Sequence, residues 1–387
     1  MSRNGKLWGV IFSTKALTAL VVAVALWTQF NVGQFHSVFA SWPPEGKPTL
    51  ASRFSTWDVA HYLRLSQFGY KAHAPSCAFY PLWPAAVHLG AGLTGGRPVL
   101  GAMLLTNALS LLAFWLLYRL IERHCGPEVS RDSLILMLAF PSALFFSFPY
   151  SESIFLVLVL LFFWGLELER WAWVAIAGFL LPLTRPTGVF ILAPLVWWLW
   201  ERQKKAGRKK NAVAGLAVHE ATTNIDEAAN CYTTPPRHPR NPSRHPPTTC
   251  SFAQAGHWRG LAPWLLLLCP LLGYAAYFGL MHLWTGNAFE GFAAEKFYPN
   301  SPSIANMFNT SGFTNALLNI HSMDEMLDGA MDRAFFLLFL ALLWPIYRLN
   351  KVWFFYVLPA GLVPALSNWF TSYRRYIMVL FPMFVVL

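Results

Sequence analysis

Charge is scarce in this chain: Lys, Arg, Asp and Glu make up 12% of its 387 residues, about half of what wets an ordinary soluble domain. The shortage excludes a water-exposed globule and makes lipid the solvent. Cysteine is scarce too. Cys77, Cys125, Cys231, Cys250 and Cys269 are odd in number, scattered and without a CxxC pair, which argues against a disulfide framework or a zinc site and leaves them structural. There is no metal-ligand spacing, no P-loop and no nucleophile elbow. A repeat of fixed period is also missing, which weakens a transporter built from inverted halves. What fills the chain instead is apolar: 56% hydrophobic residues, with 18 Trp and 32 Phe.

The net charge of +11 is concentrated. Residues 201–260 hold ten Lys or Arg against four acids, so 10 − 4 = +6 of the +11 lies there. A basic, Pro-rich connector between apolar runs follows the positive-inside rule and reads as cytoplasmic rather than as a nucleic-acid site. After the basic start MSRNGK, residues 11–29 form an apolar run with no small-residue cleavage site behind it, hence an uncleaved span. Lys15 is expected near its cytoplasmic end, its stem snorkelling outward. A polar stretch follows to residue 76, then apolar runs at 77–95, 99–121, 133–149, 150–168, 172–184 and 186–200. Beyond the loop come 261–283, 334–349, 352–370 and 376–387, with the polar segment 284–333 inside that second block.

If the N-terminus and the basic loop share the cytoplasmic side, the crossings between them are even in number, yet seven runs are present. One run therefore does not cross. Either 77–95 is interfacial or re-entrant, broken by Pro81 and Pro84, or 172–200 is one broken span. The first choice puts 30–76, 149–153, 184–188, 284–333 and 371–375 together on the outer face. The expected architecture is an all-α polytopic membrane protein of about ten transmembrane helices, in three parts: 1–200, a 201–260 loop expected to be disordered, and 261–387.

Four polar clusters fall on that outer face. In STWDVAHYLRLSQFGY, Asp58, His61 and Tyr62 share a helical face beside Trp57; a carboxylate there suits a general base for a hydroxyl, while an interfacial helix anchored by Trp57 and Tyr62 explains the same residues. In FPSALFFSFPYSES, Glu152 is either a functional acid facing a wet cavity or a helix N-terminal acid with Ser151 or Ser153 as cap. Arg185 in LTRPTG can hold a phosphate through its planar fork or pair with Glu152. Arg374, Arg375 and Tyr376 in TSYRRYIMVLFP suit a lipid phosphate, of a substrate or of a headgroup. The acids of 284–333, among them Glu290, Glu295 and Asp332, read as a solvated loop without a role.

Taken in order, WDVAHYLRLSQFGY, CAFYPLWP, FPSALFFSFPYSES, LTRPTG and SYRRYIMVLFP resemble the GPI mannosyltransferase II (PIG-V-like) family and its bacterial relatives in the GT-C superfamily. The resemblance covers roughly 50–200 and 365–387. It implies a GT-C-like bundle and a membrane hexosyltransferase that moves mannose, with inversion, from a dolichyl- or polyprenyl-phosphate donor to a glycolipid or glycan acceptor on the non-cytoplasmic face. Asp58 falls on the family's acidic catalytic position. Trp57, His61, Tyr62, Glu152 and Tyr376 then stand near substrate, with Arg185 and Arg375 near phosphate, and no metal or other cofactor is needed. The implied membrane is a bacterial plasma membrane or the endoplasmic reticulum, with membrane lipids and no nucleic acid as partners. Two departures stand out: residues 211–258 have no counterpart in the family, and the chain stops within an apolar run where relatives continue. The rival readings are a lipid-linked-sugar flippase or transporter and an inactive family member.

Overall fold

The computed structural model describes residues 3–28, 42, 49–208, 262–298, 303–321, 325–366 and 372–387. Among them the regular structure is helical throughout, with no strand. Lipid as solvent accounts for this, because a helix satisfies each backbone N–H and C=O within its own segment. The helices that build the site and its supports are α1 (Arg3–Trp27), α2 (Asp58–Phe68), α3 (Leu82–Leu93), α4 (Pro98–Ala139), α5 (Glu152–Glu167), α6 (Trp171–Thr184), α7 (Leu268–Thr285), α8 (Glu290–Ala294), α9 (Thr310–Leu318), α10 (Met331–Leu349), α11 (Lys351–Leu362), α12 (Tyr373–Ile377) and α13 (Pro382–Val386).

Met1–Leu195 and Leu266–Leu387 belong to one compact unit. The second unit is Val196–Leu265, in which 196–208 is helical. Most of the basic loop expected over 201–260 lies outside the described residues.

Among the described residues three helices are long and apolar enough to cross a membrane: Leu7–Trp27, Pro98–Ala139 and Pro263–Thr285. Leu82–Leu93, Trp171–Thr184 and Lys351–Leu366 are apolar but shorter than a span. The 42-residue α4 is in fact two helices, because Gly126 leaves the helical region at φ 85°, ψ 173° immediately before Pro127. A left-handed glycine followed by a proline ring makes a corner, and it falls between the runs read from the sequence as 99–121 and 133–149. The stretch 172–200 is likewise broken, at Arg185–Pro186, where α6 ends and a 3₁₀ turn (Pro186–Ile191) begins.

α5 is the central helix: twelve of its sixteen residues are buried, as expected of a helix apolar on all sides. It packs between α4 and α6, and α6 packs in turn against α7. Small residues set the closest approaches, as is usual between helices in lipid; a Cβ on Gly101 of α4 would lie 2.5 Å from the backbone of Gly90 in α3.

α1 is hardly buried by the rest of the protein, except along the face that carries Leu7 and Ile11, both buried, and Lys15, which turns inward. That corrects the snorkelling expectation. α1 begins at Arg3 rather than near residue 11, so Lys15 sits at mid-helix. From there its ammonium donates to Phe146 O (2.7 Å), Asn107 Oδ1 (3.0 Å) and Ser147 Oγ (3.0 Å). A charged group at that depth is retained only where such acceptors replace its water.

Candidate active site

Four sequence-distant segments bring ionisable groups to one cavity of about 240 Å³, lined by Asp58, Tyr62, Phe79, Tyr80, Thr184, Arg185, Thr187, Glu295, Tyr298, Arg375 and Tyr376 among others. Each group arrives by a local device. Asp58 opens α2 directly after Trp57, whose backbone stands at φ 55°, ψ −131°. A bulky residue in that region is strained by about 1–3 kcal/mol, and such strain collects at functional sites. Arg185 precedes Pro186, and a pre-proline residue is pushed out of the helical region; its φ −154°, ψ 152° lifts it off the end of α6. Gly188 permits the next turn to lie against the Leu181 carbonyl, where a Cβ would collide with it. Arg375 is carried by the short helix α12 after Ser372, another residue at positive φ (64°).

The charged groups form one chain. Arg375 Nη1 lies 2.5 Å from Asp58 Oδ2, and Arg375 Nε donates to Glu152 Oε1. Arg185 Nη2 reaches that same Glu152 oxygen at 2.5 Å. Two carboxylates thus face two guanidiniums, with Glu152 fully buried beneath both arginines. An acid so placed is tolerable only because it is paired, and removing one partner of a buried pair costs about 3–5 kcal/mol. Glu152 stands in the first turn of α5, where the helix dipole favours an anion, and it bridges the arginines from behind rather than facing the cavity. Ser151 precedes it without capping through its side chain. Its hydroxyl instead accepts from Arg185 Nε (3.0 Å) and lies 3.2 Å from Tyr62 Oη. The Arg375 guanidinium also lies 4.8 Å from the Phe145 ring centre and 4.6 Å from that of Tyr150, which holds its plane by cation–π contact.

Of the residues singled out from sequence, Asp58, Tyr62, Arg185, Arg375 and Tyr376 line the cavity. Glu152 lies behind the arginines. His61 is turned aside, stacked on Phe79 at 4.7 Å with Nε2 3.5 Å from Tyr298 Oη. Burial holds its imidazole below the usual histidine range, against the opposite pull of the Asp58 carboxylate. Trp57 is exposed and outside the cavity lining. The Arg374–Arg375 doublet does not act as one cationic patch, since Arg374 pairs with Asp332 (3.3 Å).

Three acids of 284–333 differ from the solvated-loop expectation, while Asp324 lies outside the described residues. Glu290 and Asp332 are buried, and Glu295 lines the cavity. Glu290 accepts from the His73 main-chain N–H (2.5 Å) and from Asn287 Nδ2 (3.1 Å). The His73 amide bond holds its carboxyl below the usual carboxylate range, whereas surrounding protein pushes the Glu295 carboxyl up. Tyr298 Oη donates to Pro75 O (3.1 Å), so 290–298 is fastened over the 73–79 loop. No motif in AAEKFYPN signalled Glu295 or Tyr298; closure of a distant loop brought them in. Among the described residues no group of three His, Cys, Asp or Glu side chains is placed to hold a metal ion.

No curated protein and no solved structure matches this chain. Residues 47–194, the stretch that carries Asp58, Glu152 and Arg185, match the family model described as Mannosyltransferase (PIG-V), a match consistent with a PIG-V-like mannosyltransferase family.

Proposed function

We propose that this is a multi-pass membrane mannosyltransferase of GT-C type that takes mannose, with inversion, from a dolichyl- or polyprenyl-phosphate carrier and delivers it to a glycolipid or glycan hydroxyl on the non-cytoplasmic face. The observation that carries this reading is the joining of Asp58, Glu152, Arg185 and Arg375 around one cavity. Inverting transfer asks for a base on the acceptor side and a cationic seat for the departing phosphate, and the cavity offers both. Asp58 takes the proton of the acceptor hydroxyl as its oxygen attacks the anomeric carbon. The bond from that carbon to the phosphate oxygen breaks, and the electron pair leaves with the polyprenyl phosphate. Charge is conserved: the donor diester carries one negative charge and Asp58 another, while the product monoester carries two and Asp58 is neutral.

Arg185 and Arg375 receive the growing charge, and Glu152, shared between them, keeps their forks at a fixed separation. Tyr62, Tyr80 and Tyr376 supply amphipathic walls suited to a sugar ring.

A flippase for the same lipid-linked sugar is the second reading, but strained backbone at Trp57 and a carboxylate–guanidinium chain at one cavity favour chemistry over passage. Membranes supplied with labelled polyprenyl-phosphate-mannose decide between them. The transferase forms a new labelled glycoside; label that only changes leaflet supports the flippase.

A further inference from the structure

Asp332 lies far in sequence from every motif above, yet it is wholly buried at the first turn of α10. Its Oδ1 accepts from the main-chain N–H of Arg374 (3.0 Å) and from the Arg374 guanidinium (3.3 Å). One carboxylate oxygen therefore grips Arg374 by both backbone and side chain. The next residue is Arg375. Successive residues on a helix point about 100° apart, so a grip on Arg374 that fixes the rotation of α12 also fixes the direction in which Arg375 leaves it.

α12 needs such a grip. It is five residues long and begins after Ser372 in the left-handed region (φ 64°, ψ 20°), and a single turn of helix has little stability of its own. Tyr373 anchors it as well: its hydroxyl donates to Gly361 O (3.0 Å) and its ring packs edge-on against Phe336. Asp332 has a second effect through charge. Because Arg374 has its own carboxylate, it does not compete with its neighbour for Asp58 or Glu152.

We infer that Asp332 is a positioning residue for the transfer reaction, holding α12 through Arg374 so that the Arg375 fork meets both Asp58 and Glu152. The inference rests on the mannosyl-transfer reading, but its test separates the two, since a wild-type protein without transfer activity would overturn that reading first.

The test is a double-mutant cycle between Asp332→Asn and Arg375→Lys, read as kcat per folded molecule in detergent or vesicles. Asn keeps an acceptor for the Arg374 amide but loses the charge, and Lys keeps a cation but loses the planar fork. If Asp332 acts through Arg375, Asp332→Asn lowers kcat at least about tenfold in the wild-type background, as for a misplaced catalytic contact, and less than about twofold once Arg375 is Lys. Equal loss in both backgrounds overturns the inference, because a merely structural role multiplies through. Arg374→Gln, which leaves the main-chain bond intact, runs the same cycle should Asp332→Asn fold poorly. A readout without turnover is binding of polyprenyl phosphate itself: Asp332→Asn weakens it in the same direction as Arg375→Lys, and wild-type affinity together with wild-type kcat sinks the inference.

Discussion

Arg375 Nη1 and Asp58 Oδ2 stand 2.5 Å apart although 317 positions separate them in the chain. The contact joins the start of α2 to α12, and it puts the proposed base and a proposed phosphate ligand in direct contact. Any phosphate that engages Arg375 therefore competes with Asp58 for the same guanidinium.

The first prediction concerns the base. Asp58→Asn preserves shape and removes the proton acceptor, so transfer from polyprenyl-phosphate-mannose falls by roughly 100-fold or more, the scale of a lost general base. Expression and melting in detergent stay near wild type, because Asp58 is only partly buried. Retained transfer would remove Asp58 from the mechanism.

The second concerns the cations. Alanine at both Arg185 and Arg375 leaves Glu152 buried and unpaired, so it combines loss of turnover with destabilisation by several kcal/mol. Adding Glu152→Gln to the double variant recovers melting temperature without recovering transfer. Intact donor turnover in the double variant would sink the role assigned to both arginines.

The third is a pH effect on the cover of the cavity. Glu290 is held below the usual carboxylate range by the His73 amide, so its tie to the 73–79 loop is fully present at neutral pH and is lost as pH falls through its lowered pKa. The groups facing it are the His73 backbone and ring, Asn287 and Lys296. Hydrogen exchange at the His73 amide, after correction for intrinsic rates, shows protection lost in acid. Glu290→Gln abolishes that dependence and leaves a weaker, pH-independent tie.

The fourth concerns Lys15. Lys15→Met strands Phe146 O, Asn107 and Ser147 without their donor and costs about 1–3 kcal/mol, the usual toll of unsatisfied polar groups. Because 145–150 carries the rings against Arg375, kcat falls along with the melting temperature. An unchanged melting temperature would show that these bonds contribute nothing to stability.

Much of this architecture was legible in the chain, for reasons that act over a few residues. Too little charge to wet a globule dictates a lipid solvent, and in lipid long continuous apolar runs satisfy their backbone as helices. Gly126–Pro127 breaks α4 by its own sterics, and Pro186 forces Arg185 out of α6. Asp58, Glu152, Arg185 and Arg375 were recognisable as candidates because an ionisable group among apolar runs is costly wherever it has no purpose.

Which group meets which was decided by tertiary closure, because a side chain's partner depends on where distant segments fold back and periodicity carries no record of that. Glu152 had two local explanations, and the fold kept part of one: it stands in the first turn of α5 without a serine side-chain cap, buried beneath two arginines rather than facing the cavity. Lys15 looked like a snorkelling residue until the rest of α1 and the 146–147 carbonyl and hydroxyl came into place. Arg374 and Arg375 looked like one patch, and a buried Asp332 divided them. Glu295 and Tyr298 sit in a segment with no pattern at all, and they reach the cavity because Glu290 fastens that segment over the 73–79 loop.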